Sequence, residues 1–480
     1  MNRWTQVFLL SATSLTLVNS QIARSELNQV NPVKIPNSFA PTPPNPTCKK
    51  PALPSVLSFG GGGMPPLNNT LTESGAQDFL VFGGGGAPSY NEIALEKNIL
   101  YFQRSLKELG YNSTSVPIYF ANGNTKEKTV RFYDETQLER FKAPDIPSLG
   151  GSSSILNLGR SIEQLGKKNV PTFFYFTGHG GHNRRNADNA SLLMWRDQAL
   201  TVQSFTEMLD RLPRKMPFIT MMAQCYSGSF ANMIYRGGDP KRGVALHTRC
   251  GFFATIKTQP SVGCTAEVNE ADYRDYSSSF FAGLTGRDRT GRKVASADYN
   301  QDGRVSYREA HAFAKVDEYT TDLPISTSEA WLQRKVETPI ERNQILAEPI
   351  APLVDAARPD QQYVIKTLSE QFQFDLRRSF LENIRVVNPR KVKSSEDEAY
   401  LTRLSMELLN VAIEQRVKAS KNQQDRAILT RLINCESGSW GKSWISARSR
   451  KNNTLRTASA RAKQKTRVKP KQVKQVKRMG

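Results

Sequence analysis

The sequence predicts an α/β protein built on a mostly parallel sheet, and three observations carry that reading. Short apolar runs that stop at glycine-rich segments recur through the middle of the chain. Amphipathic helical stretches separate them. The first run, its helix and the second run fit within about 40 residues, a βαβ unit that places helices on the faces of a parallel sheet.

Element by element, Phe79-Leu80-Val81-Phe82 reads as a buried strand ending at Gly83 to Gly86. Ser89 and Glu92 make a capping-box pair, and Leu95, Ile99, Phe102, Leu106 and Leu109 recur at helical spacing before Gly110 closes the turn. Ser115 to Phe120 is the second strand. Thr172 to Thr177 (TFFYFT) is another, ending in Gly178-His179-Gly180-Gly181. Ser204 and Glu207 announce a short helix, then Pro217 to Met222 (PFITMM) forms a strand ending in Ala223-Gln224-Cys225-Tyr226-Ser227-Gly228. Gly251 to Ile256 is a strand and Ser277 to Leu284 a helix packed on the sheet. Pro339, Pro349, Pro352 and Pro359 mark a linker. From Gln361 to Cys435 the spacing is helical again, with Leu401, Leu404, Leu408 and Val411 as one stripe.

The ends differ from the middle. Arg3, the apolar run Val7 to Val18 and the small residue Ser20 have the layout of a secretory signal peptide, which makes this an exported (secreted or periplasmic) protein. Residues 21 to 75, rich in Pro, Asn and Ser, read as a leader or propeptide. The chain carries 66 Lys plus Arg against 44 Asp plus Glu, a net charge of +22. Lys442 to Gly480 alone hold 14 basic and no acidic residues, which leaves +8 for the rest. That tail reads as disordered and suited to an anionic lipid or polysaccharide surface; few aromatics for base stacking argue against nucleic acid. No stretch approaches the roughly 20 apolar residues that span a bilayer.

Ligands of parallel α/β sheets bind past the carboxyl ends of the strands, where both His179 and Cys225 fall. A cysteine nucleophile needs an acid for the leaving amine and donors for the oxyanion. Cys225 on a tight turn supplies the sulfur, His179 the proton, and the Cys225 and Gly180 amides an oxyanion hole. Alone, each residue would read as a buried thiol or a turn histidine.

FFYFTGHGG followed 40-odd residues later by PFITMMAQCYSG resembles the His-Gly and Cys motifs of the caspase–legumain–gingipain superfamily of cysteine peptidases. The opening strand and helix resemble that family's start, and GFFATIKTQPSVGC its cleft-bordering strand and loop. The similarity covers Asp78 to Leu284, 207 residues. It implies a three-layer α/β/α caspase-like sandwich, a His179–Cys225 dyad and an oxyanion hole at Gly180 and Cys225. With the composition shifts and motifs along the chain, the reading divides it into signal 1–20, leader 21–75, peptidase domain 76–290, calcium loop and following helix 291–335, linker 336–360, helical region 361–440 and basic tail 441–480. Where legumain-like chains carry Arg-His, this one has Asn91-Glu92, so an acidic or amide preference does not carry over. Asn91, Glu92, Gln259 and Ser261 stand as the specificity-pocket candidates. Cys435-Glu436-Ser437-Gly438 looks like a legumain nucleophile segment but follows a helix, not a strand; His182 lies further into its loop than His179; and no G-x-S-x-G elbow supports an esterase.

Asp298, Asn300, Asp302, the Arg304 carbonyl, Ser306 and Glu309 match the ligand positions of a twelve-residue EF-hand loop, with Gly303 at its sharp turn. They predict a structural Ca2+ site and no organic cofactor. With Cys225 kept free, Cys48, Cys250, Cys264 and Cys435 allow three pairings, among them a Cys250–Cys264 bridge beside the cleft. The expectation is an exported cysteine endopeptidase acting on peptides or proteins. Its rival is a non-catalytic calcium-binding surface or adhesion module on the same fold.

Overall fold

The strand β1 (Asp78–Gly84) is buried along its whole length, as a run apolar on both faces must be. After it come α1 (Ile93–Glu108), β2 (Ile118–Phe120), the hairpin β3 (Val130–Tyr133) and β4 (Glu139–Lys142), β5 (Leu149–Gly151) and α2 (Ile155–Lys168). Next are β6 (Thr172–Gly181), β7 (Ser191–Met194), β8 (Gln198–Thr201), α3 (Val202–Leu209), β9 (Phe218–Ala223), β10 (Arg249–Phe253), α4 (Tyr276–Thr285), α5 (Tyr307–Asp317) and β11 (Ile325–Ser326). The helices α6 (Thr327–Gln333), α7 (Pro339–Leu346), α8 (Ile350–Ala356), α9 (Pro359–Gln371), α10 (Phe380–Val386), α11 (Ser395–Ala419) and α12 (Gln423–Glu436) complete the order. These come from a computed structural model, which describes residues 77–336, 338–387 and 392–440. The signal segment, the leader with Cys48, and the basic tail lie outside the described residues.

The sheet runs β11-β10-β9-β6-β1-β2-β5, parallel throughout except where β11 meets β10. The chain builds outward from β1 to β2 and β5, then returns to the other side of β1 for β6, β9 and β10. The order therefore reverses between β1 and β6, the place beyond the strand ends where such sheets bind their ligands. Alternate residues of β1 enter different cores. Phe79 and Val81 join Phe102, Phe281 and Ala310 on one face; Leu80 and Phe82 join Leu158, Ile162, Phe205 and Leu209 on the other. Helices thus cover both faces of a mostly parallel sheet. Among the described residues, no helix is long and apolar enough to cross a membrane.

Several sequence expectations change. The two capping boxes do not form: α1 begins after Glu92, whose side chain is turned elsewhere, and α3 is capped by Thr201, which accepts from the Ser204 amide. β6 outruns its apolar core because His179, Gly180 and Gly181 pair antiparallel with Leu193, Leu192 and Ser191. The expected linker at 336–360 is helical. Pro339 and Pro359 occupy first-turn positions of α7 and α9 and Pro349 caps α8, sites where a missing N–H breaks no helix bond. The region 361–440 is not a separate body either. Cys435 in α12 is disulfide-bonded to Cys250 in β10, and Trp440 is buried edge-on against Phe79, Phe102 and Phe173 in the sheet's own core. The Leu401, Leu404, Leu408, Val411 stripe is buried as its spacing requires.

Candidate active site

Register sets the geometry. In the β6–β9 pair Thr177 stands opposite Ala223, so His179 and Cys225 each lie two residues beyond the same rung of adjacent parallel strands. An ideal Cβ on Gly180 would sit 2.0 Å from the Cys225 carbonyl oxygen, so only glycine lets the two strand ends approach this closely. The Cys225 amide takes no acceptor among the described residues, as an oxyanion donor requires. Tyr226 follows in the left-handed region, φ 58°.

His179 Nε2 is 2.9 Å from Glu92 Oε2. The other Glu92 oxygen accepts from Arg131 at 2.8 Å, and Tyr90 packs edge-on against the imidazole at 5.5 Å between centroids. The Glu92 side chain is 6% exposed and that of His179 21%. Burial penalises the imidazolium, but Cys264 and Glu92 outweigh it and hold the His179 pKa well above its usual value. Burial also opposes ionised Glu92, yet the bonds to His179 and Arg131 leave its pKa lowered.

The loop after β10 covers the other side of Cys225. The Ser261 amide donates to Cys225 Sγ at 3.3 Å. Ser261 Oγ donates to Asp322 at 2.6 Å, and the Val262 amide donates to the other Asp322 oxygen at 3.1 Å. Burial pushes the Cys225 thiol up, further than the Ser261 amide and His179 draw it down. Cys264, exposed and free, brings its sulfur within 4.8 Å of the ligand atoms of Glu92 and His179.

The specificity-pocket candidates therefore separate. Asn91 is fully buried, accepting from the Gly85 amide and donating to the Thr129 carbonyl, so it braces the loop. Glu92 faces His179 and Arg131. Gln259 is exposed and accepts from the Tyr226 amide through its carbonyl, while Ser261 lies against the Cys225 sulfur. Cys435 is disulfide-bonded to Cys250, which removes both the rival nucleophile and the Cys250–Cys264 bridge. His182 stacks on Tyr226 at 4.6 Å, away from Glu92. Sequence reasoning missed Arg131 and Asp322, neither of which stands in a recognisable motif, and took Cys264 only as a disulfide candidate.

In the calcium-loop candidate, Gly303 has φ +84°, the conformation its sharp turn requires. Asp298 accepts from the Asp302 and Gly303 amides, Asn300 from the Asp302 amide, and Asp302 from the Arg304 amide. Both oxygens of Glu309 are engaged, one by the Tyr299 and Asn300 amides and the other by Ser306 in a capping box. Among the described residues, Glu92, His179 and Cys264 are the one such His, Cys, Asp or Glu set with ligand atoms mutually within 4.8 Å; Asp298, Asp302 and Glu309 do not close to that radius. Asp298, Asn300, Asp302 and Glu309 offer oxygen donors of the kind a hard cation takes, and Gly303 makes the turn such a loop needs.

No protein-family model matches the chain, and no curated protein does. Among solved structures it is similar to protein GSU0716 from Geobacter sulfurreducens, 12% identical over 52% of this chain and 92% of that one, with a TM-score of 0.32. A likeness of that size carries no argument about fold family or function.

Proposed function

We propose that this chain is an exported cysteine endopeptidase of caspase-like fold. The observation that carries the reading is the convergence, past the ends of the neighbouring strands β1, β6, β9 and β10, of Glu92, His179, Cys225 and Ser261. In this mechanism Cys225 Sγ attacks the scissile carbonyl as the thiol proton passes to solvent, since the raised His179 pKa favours the imidazolium that serves as the acid. The Gly180 and Cys225 amides hold the oxyanion. His179 then protonates the leaving amine, the C–N bond breaks, and a thioester to Cys225 remains. Water, deprotonated by His179, hydrolyses the thioester and restores the thiol. Glu92 accepts from Nε2, which leaves Nδ1 to carry the moving proton. The burial-raised thiol fits proton transfer in step with attack better than a standing thiolate.

Ca2+ belongs to the proposal as a structural ion held by Asp298, Asn300, Asp302, the Arg304 carbonyl, Ser306 and Glu309, where it would neutralise the clustered carboxylates. The basic tail is proposed to hold the enzyme at an anionic surface.

A cleavage profile on a diverse peptide library tests the reading, comparing the mature protein with Cys225→Ala, each with calcium and with chelator. Cuts present only with Cys225 are expected. Cuts that persist in Cys225→Ala and vanish in Cys264→Ala would move the nucleophile to the neighbouring thiol. None at all, even after removal of the leader, would favour a calcium-binding module.

A further inference from the structure

We infer that Glu92, His179 and Cys264 form a zinc-binding site across the cleft. A carboxylate, an imidazole and a thiol, their ligand atoms within 4.8 Å of one another, are a three-ligand set that leaves a fourth position open. The sulfur selects a borderline-soft cation over calcium or magnesium. Tetrahedral zinc with bonds of about 2.0–2.1 Å to nitrogen and oxygen separates those atoms by about 3.3 Å. His179 Nε2 and Glu92 Oε2 now stand 2.9 Å apart, so these two need move apart by only about 0.4 Å, with the Cys264 sulfur closing in from within 4.8 Å.

Two of the ligands are already oriented. Arg131 fixes the second Glu92 oxygen and Tyr90 abuts the His179 ring, the outer-shell support that metal ligands need. Glu92 sits at the head of α1 and His179 in β6, both largely buried, while Cys264 comes from the more exposed loop between β10 and α4. With Cys250 paired to Cys435, Cys264 has no disulfide partner among the described residues. Nothing in the sequence suggests the site, since its ligands lie on three separate segments without a metal-binding spacing.

Zinc here would occupy the imidazole that the proposed peptidase uses, so bound zinc would silence it. That consequence rests on the peptidase reading. The binding does not, and either can fail alone.

The test uses the full chain with Cys225→Ala, metal-stripped and kept in excess calcium so that oxygen-ligand sites are filled. Cobalt is titrated as the spectroscopic probe and then displaced by zinc. One equivalent giving a thiolate-to-cobalt charge-transfer band is expected, and the band should vanish when Cys264→Ser is added. Outer-shell changes alone weaken metal sites about 10–100-fold, so Glu92→Gln, close to isosteric, should weaken zinc at least about tenfold. Thermal melts confirm that each variant is folded. A band that survives Cys264→Ser, or zinc affinity indifferent to both Glu92→Gln and His179→Ala, overturns the site.

Discussion

Glu92 illustrates how a single side chain changes meaning once its neighbours are known. As a residue after the first strand it invited a role in reading substrate, whereas its two oxygens are taken by His179 and Arg131. It is therefore a positioning residue for the imidazole. Glu92→Gln keeps the size and removes the charge that favours one tautomer and the imidazolium. In the proposed peptidase, kcat should fall by about 10²-fold or more while KM stays within a few-fold. Steady-state kinetics on one peptide separates this from substrate recognition, which would raise KM instead.

At the scale of elements, the C-terminal helices reach Cys225 through one relay. Arg403, fully buried in α11, donates to the carbonyls of Lys315, Glu318, Thr320 and Asp322. That segment presents Asp322 to Ser261 and Val262, and Ser261 in turn touches Cys225. Burial pushes Asp322 up to about 7, against the pull of Ser261, Val262 and Arg403, and raises Glu318 as well. A carboxyl whose folded pKa exceeds its unfolded value binds its proton more tightly in the native state. Its contribution is present at low pH and is lost as pH climbs from about 4 to about 7. Asp322→Asn removes that dependence. The stability of the variant relative to the parent should rise in denaturant titrations between about pH 4 and 7 and level off above that. A flat difference would mean that Asp322 titrates normally.

What could be read beforehand follows from how local each feature is. β1, β6 and β9 announced themselves because strands buried on both faces are continuous apolar runs, and His179 and Cys225 are attached directly to two of them. β5, β7 and β11 are two to four residues long, too short to show a period. Glu92 could not be paired with His179 from sequence, because 87 residues separate them and only the reversal of strand order between β1 and β6 joins them. The prolines misled for a related reason: a first-turn proline and a linker proline look alike until the packing of the following helix is known. Trp440 is the extreme case, a residue at the edge of a basic tail that fills the centre of the core.

The Cys250–Cys435 bond, viewed across the whole molecule, spans 185 residues. Between its ends lies the exposed turn Thr290–Lys293, which offers Arg292 and Lys293 to a trypsin-like protease. A chain nicked there becomes a two-chain protein whose halves stay covalently joined through the sheet's own strand β10. On denaturing gels such a product should migrate as one species until reductant is added, then split in two. Maturation by internal cleavage would thus leave a covalent heterodimer, and the presence of thiols would decide whether its parts can separate.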